Sequence, residues 1–527
     1  MNGNALIRIL ATFGLLVAAL YVAFDIFTSG SNAVARFYMY AMVVAGVYGL
    51  LNAKRAFYVL LFLTGYLDYF KRFMIFDSGL SRLDLYYVLG IAPATLAGIS
   101  GNILYQHFTG RLPGRPGLNK LIIFTVIASV GSLALAVFSD QSGFRSLGDS
   151  VNASIYVLLL FIVPVLFRTP EDLRRMLKTL VILYVPAVCY MLVHHFHGIF
   201  DWEMDYLRSG LTIEIRQLME RTIRPFGTMN AASNASMVFA GIWALCLSGM
   251  WRAKSETGRT APFNFRFFFL PLIAVAMYAT YSRTGWVFAV VAVAAVPFLK
   301  SRIMTLLGYG LAITTVMAVV LASPYLLKHH ILNEISAELF EERRTDTWSQ
   351  TTNLATLNDR LEGFAALVSS TQPWTPFGAR LSGNEMAVRN SLPSHDVFTM
   401  MLLNYGFVPI IIVSVLVMRY LWKLHRMAFS SSSDPLARSI AVTSLAIGLS
   451  TTSGALVNGA QFATYPVNVF IWFHFAVVTS LYCYAREKAV AEAPAVAATE
   501  PPPWSRQPGR TAAPRPGSLP VPAHAKA

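Results

Sequence analysis

LIIFTVIASVGSLALAVF, residues 121–138, runs eighteen positions without a charge, from the residue after Lys120 almost to Asp140. An α-helix rises about 1.5 Å per residue, so this stretch reaches about 27 Å, close to the ~30 Å hydrocarbon core of a bilayer. With it counted, apolar runs lie near 8–27, 36–52, 56–70, 84–106, 119–139, 150–167, 177–196, 227–250, 266–281, 284–299, 303–324, 396–418, 438–457 and 464–485. The pattern predicts an all-α polytopic membrane protein with about 14 transmembrane helices.

Composition agrees. Of 527 residues, 55% are hydrophobic and 13% charged, with a mean hydropathy of +0.53; soluble domains carry about 25% charged residues. A net charge of +15 would suit nucleic acid in a soluble protein, but here the basic residues sit in short connections between spans, so no nucleic-acid partner is expected. Cys189, Cys246 and Cys483 all fall in apolar stretches, which argues for core packing over a loop disulfide framework or a thiolate metal site. The first run follows a lone Arg8 with no small-residue cleavage signature, so it reads as a retained span.

With the N-terminus in the cytoplasm, the even count returns the C-terminus there. Cytoplasmic segments then hold 26 of the Lys and Arg residues and the outer side 16, with only six of those in short loops. That asymmetry is what the positive-inside rule requires. Residues 1–489 form the predicted helical bundle, with long outer loops at about 197–226 and 325–395. Residues 490–527, rich in Ala and Pro, are expected to be a disordered cytoplasmic tail. The larger loop is expected to be partly helical, because Leu354, Leu357, Leu361, Phe364 and Val368 make one apolar stripe.

The outer basic residues are 14 Arg against Lys71 and Lys328. Arginine presents a planar fork that grips phosphate oxygens in pairs, so an outward-facing phosphate or diphosphate is a natural partner; contact with lipid headgroups is the plainer alternative. Arg283 sits in the short turn YSRTG between two spans. Arg221 and Arg224 precede Asn230 in RTIRPFGTMNAASNA, at the mouth of another span. His395, in LPSHDVF, lies where the large loop re-enters the membrane. It can accept a proton near neutral pH or serve as a polar anchor at headgroup level. HHFHG with DWEMD (His194, His195, His197, Asp201, Glu203, Asp205) competes as a metal site. Yet imidazoles at i, i+1 and i+3 of a helix point to different faces, and the acids read equally as a solvated loop.

Three stretches, in this order, resemble the O-antigen ligase and O-antigen polymerase superfamily of bacterial envelope glycosyltransferases. They are RPFGTMNAASNASMVFA at 224–240, YSRTGWVFAVVAV at 281–293, and a long outer loop containing DRLEGFAALVSSTQPWTPFGARL and closing on SHDVFTMMLLNYGFVP. The resemblance covers about 221–410. It implies a bacterial inner-membrane enzyme with its site at the periplasmic face, taking a polyprenyl-diphosphate-linked oligosaccharide as donor and transferring the glycan to a sugar hydroxyl without metal or cofactor. The acceptor is another glycan repeat for a polymerase, or lipid A core for a ligase. His395, Arg283 and Arg224 are then the expected catalytic residues, with Arg221, Asn230, Arg343, Arg344 and Arg360 as substrate-binding candidates. A secondary transporter or a flippase of lipid-linked glycan is the alternative of another class, although such proteins place ionisable groups mid-membrane and the mid-span acids here are few.

Overall fold

The computed structural model describes residues 17–77, 84–112, 114–115, 117–138, 151, 154–209, 224–251, 266–280, 282, 285–286, 288–292, 375–376, 402, 406–428, 434–457 and 464–499. It is all-α: 86% helix, with no strand among the described residues. In chain order the helices are α1 (Val17–Thr28), α2 (Ala33–Leu51), α3 (Ala53–Arg72), α4 (Leu85–Leu89), α5 (Ile91–Phe108), α6 (Leu118–Phe138), α7 (Leu159–Leu166) and α8 (Pro170–Leu183). There follow α9 (Val185–Phe196), α10 (Asp201–Arg208), α11 (Ala232–Leu247), α12 (Arg266–Ala279), α13 (Phe407–Ala428), α14 (Pro435–Val457) and α15 (Val467–Thr499).

By length and composition, three described segments can cross a membrane: Ala33–Leu51, Pro170–Phe196 and Val467–Ala491. Their burial separates centre from rim. The most apolar window of the last is 83% buried, whereas that of the first is only 17% buried. Helix α15 is thus the axis of the bundle, packed by α7, α11, α13 and α14, and α2 lies at the edge. Phe37, Val43, Val44 and Leu51 of α2, Ile123 and Ile127 of α6, and Ile411, Val415 and Trp422 of α13 are exposed. Apolar area of that extent is unusual on a protein surrounded by water and points to membrane association.

Local chemistry sets several boundaries. Helix α8 begins at Pro170 after Thr169, whose side chain accepts from the Asp172 N–H (3.1 Å), and Glu171 and Asp172 place negative charge in its first turn. Asn52 alone links α2 to α3 and caps α3 by accepting from the Arg55 N–H (3.2 Å). At the far end of this hairpin the Asp77 carboxylate accepts from the first free N–H groups of α2, those of Val34 (2.9 Å) and Ala35 (2.7 Å). Opposite the site described below, Arg115 pairs with Glu487 of α15 (2.7 Å) and donates to the carbonyls of Pro164 and Arg168 (2.9 Å for the latter), capping the end of α7.

Helices α2 and α5 cross in backbone contact. A Cβ on Gly98 would collide with the Gly46 carbonyl oxygen and stand 3.1 Å from the Gly49 Cα, so two backbones touch where side chains normally intervene. Gly98→Val is expected to cost about 1–3 kcal/mol through overpacking. The cost would be read as a lower midpoint for loss of the folded, detergent-solubilised protein on heating; an unchanged midpoint contradicts this contact.

Two boundaries differ from the hydropathy reading. The run expected at 396–418 has a break at Gly406 (φ +78°), after which a helix occupies Phe407–Ala428, past the expected end; 396–401 and 403–405 lie outside the described residues. Apolar content alone ended it too early; the long stems of Arg419, Lys423 and Arg426 extend the helix past its apolar part. The last helix also continues to Thr499, into the segment from 490 expected to lack structure, because alanine, frequent there, is the strongest helix former. Cys246 and Cys483 are buried as expected, but Cys189 faces outward from α9.

Candidate functional site

Charged residues converge at the end of the bundle where α3 and α9 finish. Asp68, Lys71 and Arg72 stand at i, i+3 and i+4, so the last turn of α3 presents them on one stripe, and all three are buried. Helix α9 contributes His194 from its final turn, and α10 contributes Glu203. On α10, Glu203, Tyr206 and Leu207 have the same i, i+3, i+4 spacing and form its buried face.

Arg72 is the hub. It forms an ion pair through Nη1 with Glu203 Oε1, and its Nη2 donates to the carbonyl oxygens of Gly227 (2.6 Å) and Met229 (2.7 Å). Its guanidinium also lies over the Phe226 ring, 4.5 Å from the centroid. The second Glu203 oxygen, Oε2, is 2.8 Å from His194 Nε2. Burial alone would raise the Glu203 carboxyl, but the His194 hydrogen bond and the Arg72 charge outweigh it and hold the carboxyl below its ordinary value of 4.5. Burial raises the neighbouring Tyr206 phenol.

Beside this pair, Asp68 Oδ2 accepts from the Asn230 N–H (3.1 Å), and Lys71 Nζ donates to Asn230 Oδ1 (3.2 Å). Segment 224–231, which these bonds hold, is irregular and leads into α11. Gly227 turns it at φ +57°, and a Cβ there would also press on Met191 at 3.1–3.3 Å. Aromatic rings close the cluster: Trp202 stacks on Phe73 (5.4 Å, 11°) and meets Tyr69 edge-on (6.0 Å), and His194 packs edge-on to Phe226 (5.3 Å).

Of the residues expected from sequence, Arg224 and Asn230 fall in this segment; Arg224 is half-buried, with its Nε shielded from solvent. His395, Arg283, Arg221, Arg343, Arg344 and Arg360 lie outside the described residues. Described neighbours nevertheless bring two of the three distant stretches together. Gly285, two positions after Arg283, rests directly on Ser236 of α11, where a Cβ would collide with the serine hydroxyl. From the loop before α13, the carbonyls of Thr375 and Pro376 accept from the N–H groups of Phe407 (3.0 Å) and Val408 (3.2 Å), satisfying the start of that helix.

The HHFHG and DWEMD residues do not gather. His194 and Glu203 pair in the interior, while Asp205 turns to Arg208 on the surface (3.5 Å). Among the described residues no group of three His, Cys, Asp or Glu side chains is placed to hold a metal ion. DWEMD is also helical, where a solvated loop was the plainer expectation, because its Glu203 has Arg72 and His194 to meet. No protein-family model matches the chain, and neither a curated protein nor a solved structure matches it.

Sequence reading missed Arg72, Lys71, Asp68 and Glu203 as a unit. The available signal was spacing: a charge at i, i+3 or i+4 from apolar neighbours belongs to a buried face, and both α3 and α10 show it.

Proposed function

We propose that this protein is a multi-pass glycosyltransferase of a bacterial inner membrane, with about 14 spans, both termini cytoplasmic and its site at the periplasmic face. It polymerises O-antigen or exopolysaccharide units by transferring a polyprenyl-diphosphate-linked glycan to a sugar hydroxyl. The observation that supports this reading best is the packing of Gly285 on Ser236. It joins the stretch bearing Arg224 to the stretch bearing Arg283, beside a segment held in place by buried charges.

In the proposed step the acceptor hydroxyl oxygen attacks the anomeric carbon as the bond from that carbon to the diphosphate oxygen breaks. The hydroxyl proton passes to neutral His395, and polyprenyl diphosphate departs with the electron pair. Arg224 and Arg283 meet the negative charge that grows on the leaving diphosphate, in a setting poor in water where fixed cations are most effective. Arg221, Arg343, Arg344 and Arg360 are the further cations proposed for the substrate, with Asn230 beside them.

The test is transfer by the purified protein in lipid nanodiscs supplied with a carrier-linked repeat. The expected result is longer carrier-linked chains with release of polyprenyl diphosphate, unchanged by EDTA. Absence of diphosphate release from every carrier-linked glycan offered, or activity that disappears with EDTA, would overturn the proposal. Growth of product only on added lipid A core would make the protein a ligase.

A further inference from the structure

Segment 224–231 makes few bonds within itself; one is the Met229 N–H to the Phe226 carbonyl at 3.1 Å. Four of its polar groups are instead held by one turn of α3. Arg72 takes the Gly227 and Met229 carbonyls, Asp68 takes the Asn230 N–H, and Lys71 takes the Asn230 side-chain oxygen. Asp68, Lys71 and Arg72 are between 1% and 7% exposed, so water is a poor substitute for these bonds. Glu203 fixes the remaining arm of Arg72, and His194 fixes Glu203 in turn.

Arg72 is paired with Glu203, and Lys71 is bonded to the Asn230 side chain, so these two cations on the arginine-rich side are engaged inside the protein. We infer that Asp68, Lys71, Arg72 and Glu203 are positioning residues that hold segment 224–230, and through it Arg224 and Asn230, at the mouth of α11. This rests on the reading of Arg224 and Asn230 as residues that meet the donor.

Shape matters here beyond charge. The planar guanidinium of Arg72 reaches a carboxylate and two carbonyls together, which a single ammonium on a flexible stem does not reproduce. Arg72→Lys keeps the charge and loses that reach.

The test uses Thr228→Cys, a small reporter at a position only 4% exposed inside the segment, in the full-length protein in nanodiscs with the exposed Cys189 replaced by serine in every variant compared. Maleimide labelling of the cysteine is expected to be slow with Arg72 present. Labelling should become faster on the order of tenfold with Arg72→Lys or Glu203→Gln, because the segment opens locally while helix content stays the same. In the transfer assay, Arg72→Lys, with Thr228 intact, is expected to lower kcat roughly 10- to 100-fold, since a small displacement of an aligned group slows reaction by that order. The donor KM should change by less than about threefold, because charge on the diphosphate grows as its bond breaks. A purely structural defect would lower the amount of folded protein and leave kcat per folded molecule unchanged. Labelling as slow in both variants as in the parent overturns the inference, as does faster labelling with unchanged kcat. Wild-type protein that transfers no carrier-linked glycan overturns the donor reading instead, and the labelling still decides whether α3 and Glu203 hold the segment.

Discussion

Arg224→Ala is expected to lower glycan transfer about 10²- to 10³-fold, equivalent to about 3–4 kcal/mol of transition-state stabilisation. The size follows from where charge appears. Cleaving the anomeric bond leaves a diphosphate whose new negative charge water would otherwise have to solvate, and the half-buried position of Arg224 keeps its cation partly out of water. Arg283→Ala should show a comparable loss, and His395→Ala a loss of about 10²- to 10⁴-fold if it takes the acceptor proton. Each variant would be assayed in nanodiscs at matched protein amounts. Normal product from all three would refute the proposed mechanism.

Arg72→Leu is expected to have the largest effect on folding, about 3–5 kcal/mol. Removing one partner of a buried ion pair leaves the other charge without compensation, here together with the two carbonyls of the 224–231 segment. A loss of that size is a large share of the 5–15 kcal/mol that holds a typical domain together. It would be read as the fall in monodisperse protein after mild heating, compared with wild type. The pH dependence has a definite sign. Glu203 ionises below its ordinary value in the folded protein, so its contribution is complete above the ordinary glutamate range and is lost only as pH falls through the lowered folded value. The stability gap between wild type and Glu203→Gln should therefore stay constant from pH 8 to about 5 and close only in stronger acid. A gap that closes near neutrality contradicts this assignment.

Hydropathy located most of the helices, since apolar length is a local property of the chain. Runs expected at 36–52 and 119–139 appear as Ala33–Leu51 and Leu118–Phe138. For the run at 396–418 it missed the break at Gly406, set by backbone conformation, and the continuation to Ala428, made by basic residues with long apolar stems. Arg224 and Asn230 were legible as polar residues at the mouth of a span. The frame around them was not, because it joins Arg72 to Glu203 across 131 positions. Spacing within each stretch marks a buried face, but neither stretch read alone names the distant residue that its charge meets. Glu203 illustrates this: read singly, it was one of three acids in a loop. Read as part of a helix, it shares a stripe with Tyr206 and Leu207 and needs a cation in the interior.

The grip of Asp77 on Val34 and Ala35 has a consequence for biosynthesis. With Asn52 at one end and Asp77 at the other, the α2–α3 hairpin is closed by contacts among residues 34–77, all of which precede Glu203 and segment 224–231 in order of synthesis. Asp68, Lys71 and Arg72 are then already lined up on its tip. The glutamate that neutralises Arg72 follows 131 residues later, and the carbonyls it binds later still. Segments that follow in synthesis thus meet a row of charges whose own hairpin needs none of them to close.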